Sequence, residues 1–221
     1  MLLSRKYVST LICFALLFTG TTFAEEAAAK PNPALLDPSL ATEQAPDLYR
    51  VKMETTAGNF VIEVHREWAP LGADRFYNLV KIGYFNNVAF FRVLADFMAQ
   101  AGFHGDPAVS QTWLSARIKD DPVKQSNTQG MVSFAMGGPN TRSAQIFVNY
   151  GDNSYLDESG FAPFGKVVEG MESVRDLYSG YGEGEPNGKG PGQGKVYRRG
   201  NDYLKAEFPE LDYVTRASIV E

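Results

Sequence analysis

The feature that most constrains the fold of this chain is its series of short apolar segments, five to nine residues long, several of them separated by Gly, Pro or Asn. Alternation of side chains within them predicts strands rather than helices. Helical spacing occurs at 70–83, where Pro70 suits the first turn and Gly83 the end, and at 172–178. Fifteen Phe and eleven Tyr residues also suit pleated, half-buried surfaces. The pattern predicts a mainly β fold, a closed eight-stranded antiparallel barrel with two flanking helices. Its predicted strands are 48–56, 60–64, 90–94, 97–101, 131–136, 145–149, 164–168 and 213–220, the last pairing with the first.

The two ends of the predicted barrel carry additional segments. Residues 1–24 combine Arg5 and Lys6, an apolar stretch and a final Ala24, which is typical of a secretory signal peptide. An uncleaved anchor is the alternative. Residues 25–46 are rich in Pro and Ala and are predicted to be a disordered linker. Residues 47–221 form the predicted domain, with a Gly-rich loop and a short helix, capped by Asn201, inserted at 182–207 before the last strand.

Charge and cysteine content exclude several kinds of function. The net charge is −5, and removal of Arg5 and Lys6 with the signal would leave 19 basic and 26 acidic residues, a charge of −7. Such a balance disfavours nucleic acid as a partner, because phosphate binding needs clustered Lys and Arg. The only cysteine, Cys13, lies within the predicted signal. Disulfide and thiol chemistry is therefore not expected in the mature protein.

Two segments, 90–100 and 135–147, carry the most useful chemistry. The first presents Arg92 among apolar residues, and alternation predicts that Arg92 shares one face of its strand with Phe90, opposite Phe91 and Val93. The sequence offers no nucleophile paired with a base, no metal-ligand spacing and no phosphate loop. A cation beside an apolar pocket suits a reaction without proton transfer or covalent intermediate, such as rotation about a peptide bond to proline. An arginine pointing outward from an edge strand is the alternative.

Three blocks of sequence resemble the cyclophilins. The first contains Phe90, Arg92, Val93, Phe97, Met98 and Gln100; the second contains 138–141, Gln145 and Phe147; the third is 164–171. The resemblance covers 48–177 and the last ten residues. It implies a cyclophilin-like barrel with peptidyl-prolyl cis-trans isomerase (rotamase) activity, which needs no cofactor and no metal.

The resemblance also implies roles for individual residues. Arg92 and Gln100 would be catalytic, since the arginine of the family falls on Arg92. Its guanidinium could bind the proline nitrogen as the bond twists or orient the adjacent carbonyl, and Gln100 could orient Arg92. Ala135 and Met136 would offer backbone groups to an extended peptide, and Gln145 would hold its backbone. Tyr155 replaces a tryptophan common in the family, so weaker binding of cyclosporin is expected. The other residues expected to bind substrate are Phe97, Met98, Phe147, Leu156 and Phe161.

The partners implied are proline-containing segments of unfolded or flexible polypeptides outside the cytoplasm. The signal indicates a periplasmic or secreted protein without stable membrane insertion, and a monomer is expected. Two alternatives use the same pocket without catalysis, namely a module that binds proline-containing peptides and a chaperone. Retention of Arg92 favours the enzyme, since binding alone has less need of a guanidinium.

Overall fold

A computed structural model describes residues 31–220, so the predicted signal peptide and residues 25–30 lie outside the described part. The predicted closed antiparallel barrel is confirmed, with strand order β1-β2-β7-β5-β6-β4-β3-β8. The final strand pairs with the first, with Val51 opposite Ile219, as predicted. The strands are β1 (Leu48–Thr55), β2 (Gly58–His65), β3 (Val88–Leu94), β4 (Met98–Ala101), β5 (Met131–Phe134), β6 (Ile146–Asn149), β7 (Pro163–Glu169) and β8 (Tyr213–Val220).

Strand alternation fills the barrel with apolar side chains. Val51, Ile62, Val64, Val132 and Phe164 are fully buried members of one core. The short strands can close around this core because every strand pairs with a neighbour on each side, which leaves no open sheet edge.

Strand β3 departs from simple alternation directly before Arg92. Phe90 lies opposite Ala101 and Arg92 lies opposite Gln100, so Phe91 is an extra residue on this strand. Such a bulge shifts the side-chain pattern by one position. Phe90 therefore belongs to the barrel core, while Phe91 belongs to a second core outside the barrel. The prediction that Phe90 and Arg92 share a face was wrong, because alternation does not continue through a bulge.

Four α-helices accompany the barrel among residues 31–220, one more than the two flanking helices and the short inserted helix that were predicted. The predicted flanking helices correspond to α1 (Pro70–Lys81) and α3 (Met171–Arg175), and the prediction missed α2 (Pro107–Ser115). The inserted helix α4 spans Gln193–Glu207 and is divided at Gly200, which has a non-helical conformation; the part after Gly200 corresponds to the predicted short helix, and the part before it was not predicted. None of the helices described is both long and apolar enough to cross a bilayer.

Helix α4 packs against the outside of β3. Its Val196, Tyr203 and Leu204 form the second core together with Phe91 and Phe103. This apolar contact fixes the insertion to the strand that carries Arg92.

The kink in α4 arises where the helix meets the loop before α2. Gly200 has φ 53°, and a side chain there would collide with the carbonyl oxygen of Gly105. Asn201 donates its backbone N–H to that oxygen at 2.9 Å and its side-chain amide to Asn87. Asn201 therefore anchors the helix to neighbouring loops and is not the predicted helix cap.

Residues 31–46 were predicted to belong to a disordered linker, but they pack on the domain. Short 3₁₀ turns at Pro33–Leu35 and Pro38–Leu40 bury Ala34, and Ala45 is buried further along. The polar backbone of this segment is satisfied by side chains of the domain: Asn78 exchanges two hydrogen bonds with the Glu43 backbone at 3.0 and 2.7 Å. The composition of the segment did not show these partners, since they lie in helices elsewhere in the chain.

Candidate active site

An apolar cavity of about 220 Å³ opens beside β4 and β6. Phe97 and Met98 form the side at the start of β4, and Phe147 contributes from β6. The rings of Phe147 and Phe161 meet edge to face, with centroids 5.7 Å apart. The remaining lining residues are Arg92, Gln100, Ala135, Met136, Leu156 and Gln193.

Arg92 is the cation at the edge of this cavity. Its Nη1 donates to Gln100 Oε1 at 3.1 Å and lies 3.8 Å from Met98 Sδ. Its guanidinium carbon lies 5.7 Å from the centroid of the Phe97 ring, within range of a cation–π contact. The side chain is 21% exposed, so it borders the cavity instead of extending into bulk water. Arg92 lies on the outer face of the barrel, but its strand is paired on both sides and its side chain is mostly covered, so the alternative of an edge-strand arginine extending into water is wrong.

Gln100 connects Arg92 to a second polar side chain. While its oxygen accepts from Arg92, its amide nitrogen donates to Gln145 Oε1 at 2.9 Å. Both ends of the buried Gln100 amide are therefore hydrogen-bonded, which fixes its orientation. This geometry suits the predicted function of Gln100 in orienting Arg92.

Gln145 lies in a second, more polar cavity of about 440 Å³. The two cavities adjoin each other, because Gln100, Ala135, Met136 and Gln193 line both. Ala135 donates its N–H to the Gln145 carbonyl oxygen at 2.9 Å, so it can offer only its carbonyl to a peptide. An extended chain could thus place one residue in the apolar cavity and a neighbouring residue in the polar one.

The loop that carries Leu156 and Phe161 is held by a carboxylate. Asp157 accepts from the Ser126 hydroxyl at 2.5 Å and from the Asn127 backbone at 2.9 Å. Partial burial raises the pKa of Asp157, but these hydrogen bonds outweigh it and lower the pKa below its ordinary value. Asn127 also donates to the Phe161 carbonyl at 2.8 Å. These bonds hold Leu156 and Phe161 at the cavity.

Glu183 is the most unexpected partner of Arg92. Its two carboxylate oxygens accept from Arg92 Nε at 2.7 Å and from Nη2 at 2.6 Å. The hydrogen bond from Arg92 lowers the pKa of the Glu183 carboxyl below its ordinary value, against the opposing effect of partial burial. The carboxylate belongs to the Gly-rich insertion, 91 residues away in sequence.

The structure brings together nine of the eleven residues predicted for the site around the apolar cavity. Gln145 lies next to it in the second cavity. Tyr155 lines neither cavity and is 61% exposed, with its ring stacked 6.4 Å from that of Phe97. Sequence reasoning missed Gln193 and Glu183, because both belong to an insertion without a recognisable motif.

Comparison with known proteins identifies the family. Residues 50–192 match the model for cyclophilin type peptidyl-prolyl cis-trans isomerase/CLD. A peptidyl-prolyl cis-trans isomerase of Acinetobacter baylyi is 35% identical over 130 residues, which cover 56% of this chain and 69% of the relative. One of Schizosaccharomyces pombe is 34% identical over 130 residues, covering 58% and 83%.

Solved structures agree on the fold. A cyclophilin type isomerase of Cryptosporidium parvum superposes with a TM-score of 0.60 at 19% identity, covering 79% of this chain and 98% of that one. The same protein was also solved in the presence of the dipeptide Ala-Pro. The present chain belongs to the cyclophilin-type peptidyl-prolyl cis-trans isomerase family and catalyses the rotation of X-Pro peptide bonds.

Proposed function

We propose that Arg92 is the catalytic group of this isomerase and that the apolar cavity holds the proline ring of the substrate. The observation that carries the proposal is the position of the Arg92 guanidinium, which Gln100 holds at the edge of a cavity lined by Phe97 and Phe147. Met98 sulfur is a weak acceptor for Nη1. A proline nitrogen or the preceding carbonyl could therefore displace it at little cost.

The chemistry asked of Arg92 is stabilisation of the twisted peptide bond. Conjugation of the nitrogen lone pair gives a rotation barrier of about 18–20 kcal/mol. As the bond twists, this lone pair localises on the proline nitrogen and can accept a hydrogen bond. Rotation within milliseconds requires an acceleration of about 10⁴–10⁵, which corresponds to lowering the activation free energy by roughly 5.5–7 kcal/mol. One charge-assisted hydrogen bond supplies about 1.5–3 kcal/mol of this. The partly water-excluded surroundings of Arg92 strengthen its interaction further.

The proposed substrates are extended, proline-containing segments of unfolded or flexible polypeptides. Two adjoining cavities, one apolar and one polar, support binding of neighbouring residues of such a chain. Gln145 would hold the backbone between them, and the carbonyl of Ala135 would accept from it. The study of the Cryptosporidium relative with Ala-Pro supports the same class of ligand.

Acceleration of isomerisation separates the enzyme from a binding module or chaperone. We expect the purified chain to speed both an X-Pro tetrapeptide interconversion and a proline-limited refolding reaction. Exchange spectroscopy by NMR measures the first, and the amplitude and rate of the slow fluorescence phase measure the second. A peptide of the same sequence with Ala in place of Pro serves as the control. Binding of the proline peptide without any increase in its exchange rate would favour the non-catalytic alternatives.

The proposed place of action is outside the cytoplasm, where the protein would act as a monomer on exported chains. The support is the pattern of residues 1–24, with a basic start, an apolar stretch and Ala24. Expressed in a Gram-negative host, the chain is expected in the periplasmic fraction with a mass reduced by those 24 residues. A variant lacking residues 2–24 is expected to stay in the cytoplasm. Recovery of the intact chain in the membrane fraction would instead indicate an uncleaved anchor.

A further inference from the structure

The insertion before the last strand reaches the guanidinium of Arg92. Glu183 contacts it through a bidentate pair of 2.7 and 2.6 Å, shorter than the 3.1 Å bond from Nη1 to Gln100. Parallel carboxylate–guanidinium bonds of this kind fix the plane of the arginine as well as its position. Arg92 is thus held from two sides, by a side chain of the barrel and by one of the insertion.

The Gly-rich loop is shaped to present this carboxylate. Glu183 Oε1 also accepts the backbone N–H of Gly184 at 2.9 Å, and its carbonyl accepts the N–H of Gly190 at 2.8 Å. A Cβ at Gly188 would collide with the Glu183 carbonyl oxygen and one at Gly190 would lie 2.9 Å from it, both too close for van der Waals contact. The glycines therefore let the loop fold back on Glu183, a closure that larger residues would prevent.

The Glu183 carboxylate binds Arg92 from outside the two cavities. Glu183 is absent from the linings of both cavities, whereas Gln193 of the same insertion lines both. A guanidinium has five N–H donors. Glu183 takes one on Nε and one on Nη2, and Gln100 takes one on Nη1. Donors remain on Nη1 and Nη2, and Nη1 faces the weak acceptor Met98 in the cavity wall.

We propose that Glu183 is a positioning residue, which holds Arg92 so that its Nη1 end points to the proline site. This inference rests on the proposed catalytic role of Arg92. An arginine side chain loses substantial rotamer entropy on being fixed, and a preformed clamp removes that cost from the reaction. The Glu183 carboxylate also neutralises part of the positive charge of Arg92, which would weaken the interaction of Arg92 with the substrate. Positioning dominates because the carboxylate stands outside the cavity and leaves donors for the substrate.

Glu183→Gln tests the clamp with little change of shape. We expect kcat/KM for an X-Pro peptide to fall about tenfold, mainly through kcat, because the clamp acts on the transition state more than on peptide binding. Glu185→Gln is the matched control: it makes the same charge change in the same loop, but Glu185 pairs with Lys195 at 2.8 Å instead. Glu185→Gln is expected to keep wild-type kinetics. The Arg92 Nε–H resonance should move and broaden in Glu183→Gln alone.

A double-mutant cycle shows whether Glu183 acts through Arg92. In an Arg92→Ala background, Glu183→Gln should have no further effect on kcat/KM, since the group it positions is gone. An unchanged or raised rate in the single variant would overturn the inference, a raised rate meaning that the carboxylate restrains the enzyme. An equal loss in both backgrounds would overturn it too, by indicating a merely structural effect. Full activity of Arg92→Ala itself would instead refute the proposed role of Arg92.

Discussion

Replacing Arg92 with alanine is expected to lower kcat/KM for X-Pro isomerisation by about 100-fold, or roughly 2.7 kcal/mol of transition-state stabilisation. This is the upper part of the range for a hydrogen bond from a charged donor. The size follows from the surroundings: the guanidinium lies among Phe97, Met98 and Gln100 and is only 21% exposed. Water that enters in its place cannot provide a fixed donor.

The same substitution should barely affect folding. Arg92 borders a cavity, and its partner Glu183 has a side chain 37% exposed, so the carboxylate can be hydrated once the pair is lost. We expect the free energy of unfolding in urea to change by less than about 1 kcal/mol. Arg50→Ala is the control, because it removes an equal charge from an exposed ion pair with Glu63 on the barrel exterior. Wild-type kinetics in Arg92→Ala, with peptide binding unchanged, would contradict the catalytic role.

Most of the barrel could be predicted from sequence because strand alternation is a local signal. The final strand 213–220, for example, was predicted with the bounds that the structure shows. The bulge at Phe91 could not be predicted in this way, since an extra residue in one strand depends on the register of its partner β4. The segment 31–46 failed for a related reason. Its order comes from Asn78 and Trp113, which bind its backbone from distant helices.

The residues of the site also differ in whether a local sequence pattern could indicate them. Arg92, Phe97 and Gln100 lie close together in sequence on β3, the following turn and β4, so short motifs were enough to indicate them. Glu183 belongs to a loop whose glycines predict only flexibility, and nothing in its spacing points to an arginine 91 residues earlier. The paired contact is a tertiary feature, created by the packing of α4 on the outside of β3.

Arg142→Met is expected to cause the largest loss of stability, about 3–5 kcal/mol in the free energy of unfolding. The Arg142 side chain is 1% exposed and pairs with the equally buried Asp121 at 3.1 Å. The same carboxylate accepts the N–H groups of Leu71 at 3.0 Å and Gly72 at 2.9 Å, which the first turn of α1 leaves without partners. Replacing Arg142 with methionine leaves the Asp121 carboxylate charged and buried at the start of α1 without its cation. Urea unfolding, with Arg50→Met as the control, measures the loss.

The two arginines should therefore have opposite phenotypes, although both pair with a carboxylate. The partner of Arg92 can turn to water, while Asp121, with its side chain 2% exposed, cannot. For the same reason the double variant Asp121→Asn with Arg142→Met should cost less than the sum of its single changes, because it leaves no buried charge. A loss under about 1 kcal/mol for Arg142→Met would show that Asp121 is stabilised sufficiently by α1 alone. The exposure of the carboxylate that remains thus decides how much stability the loss of each arginine costs.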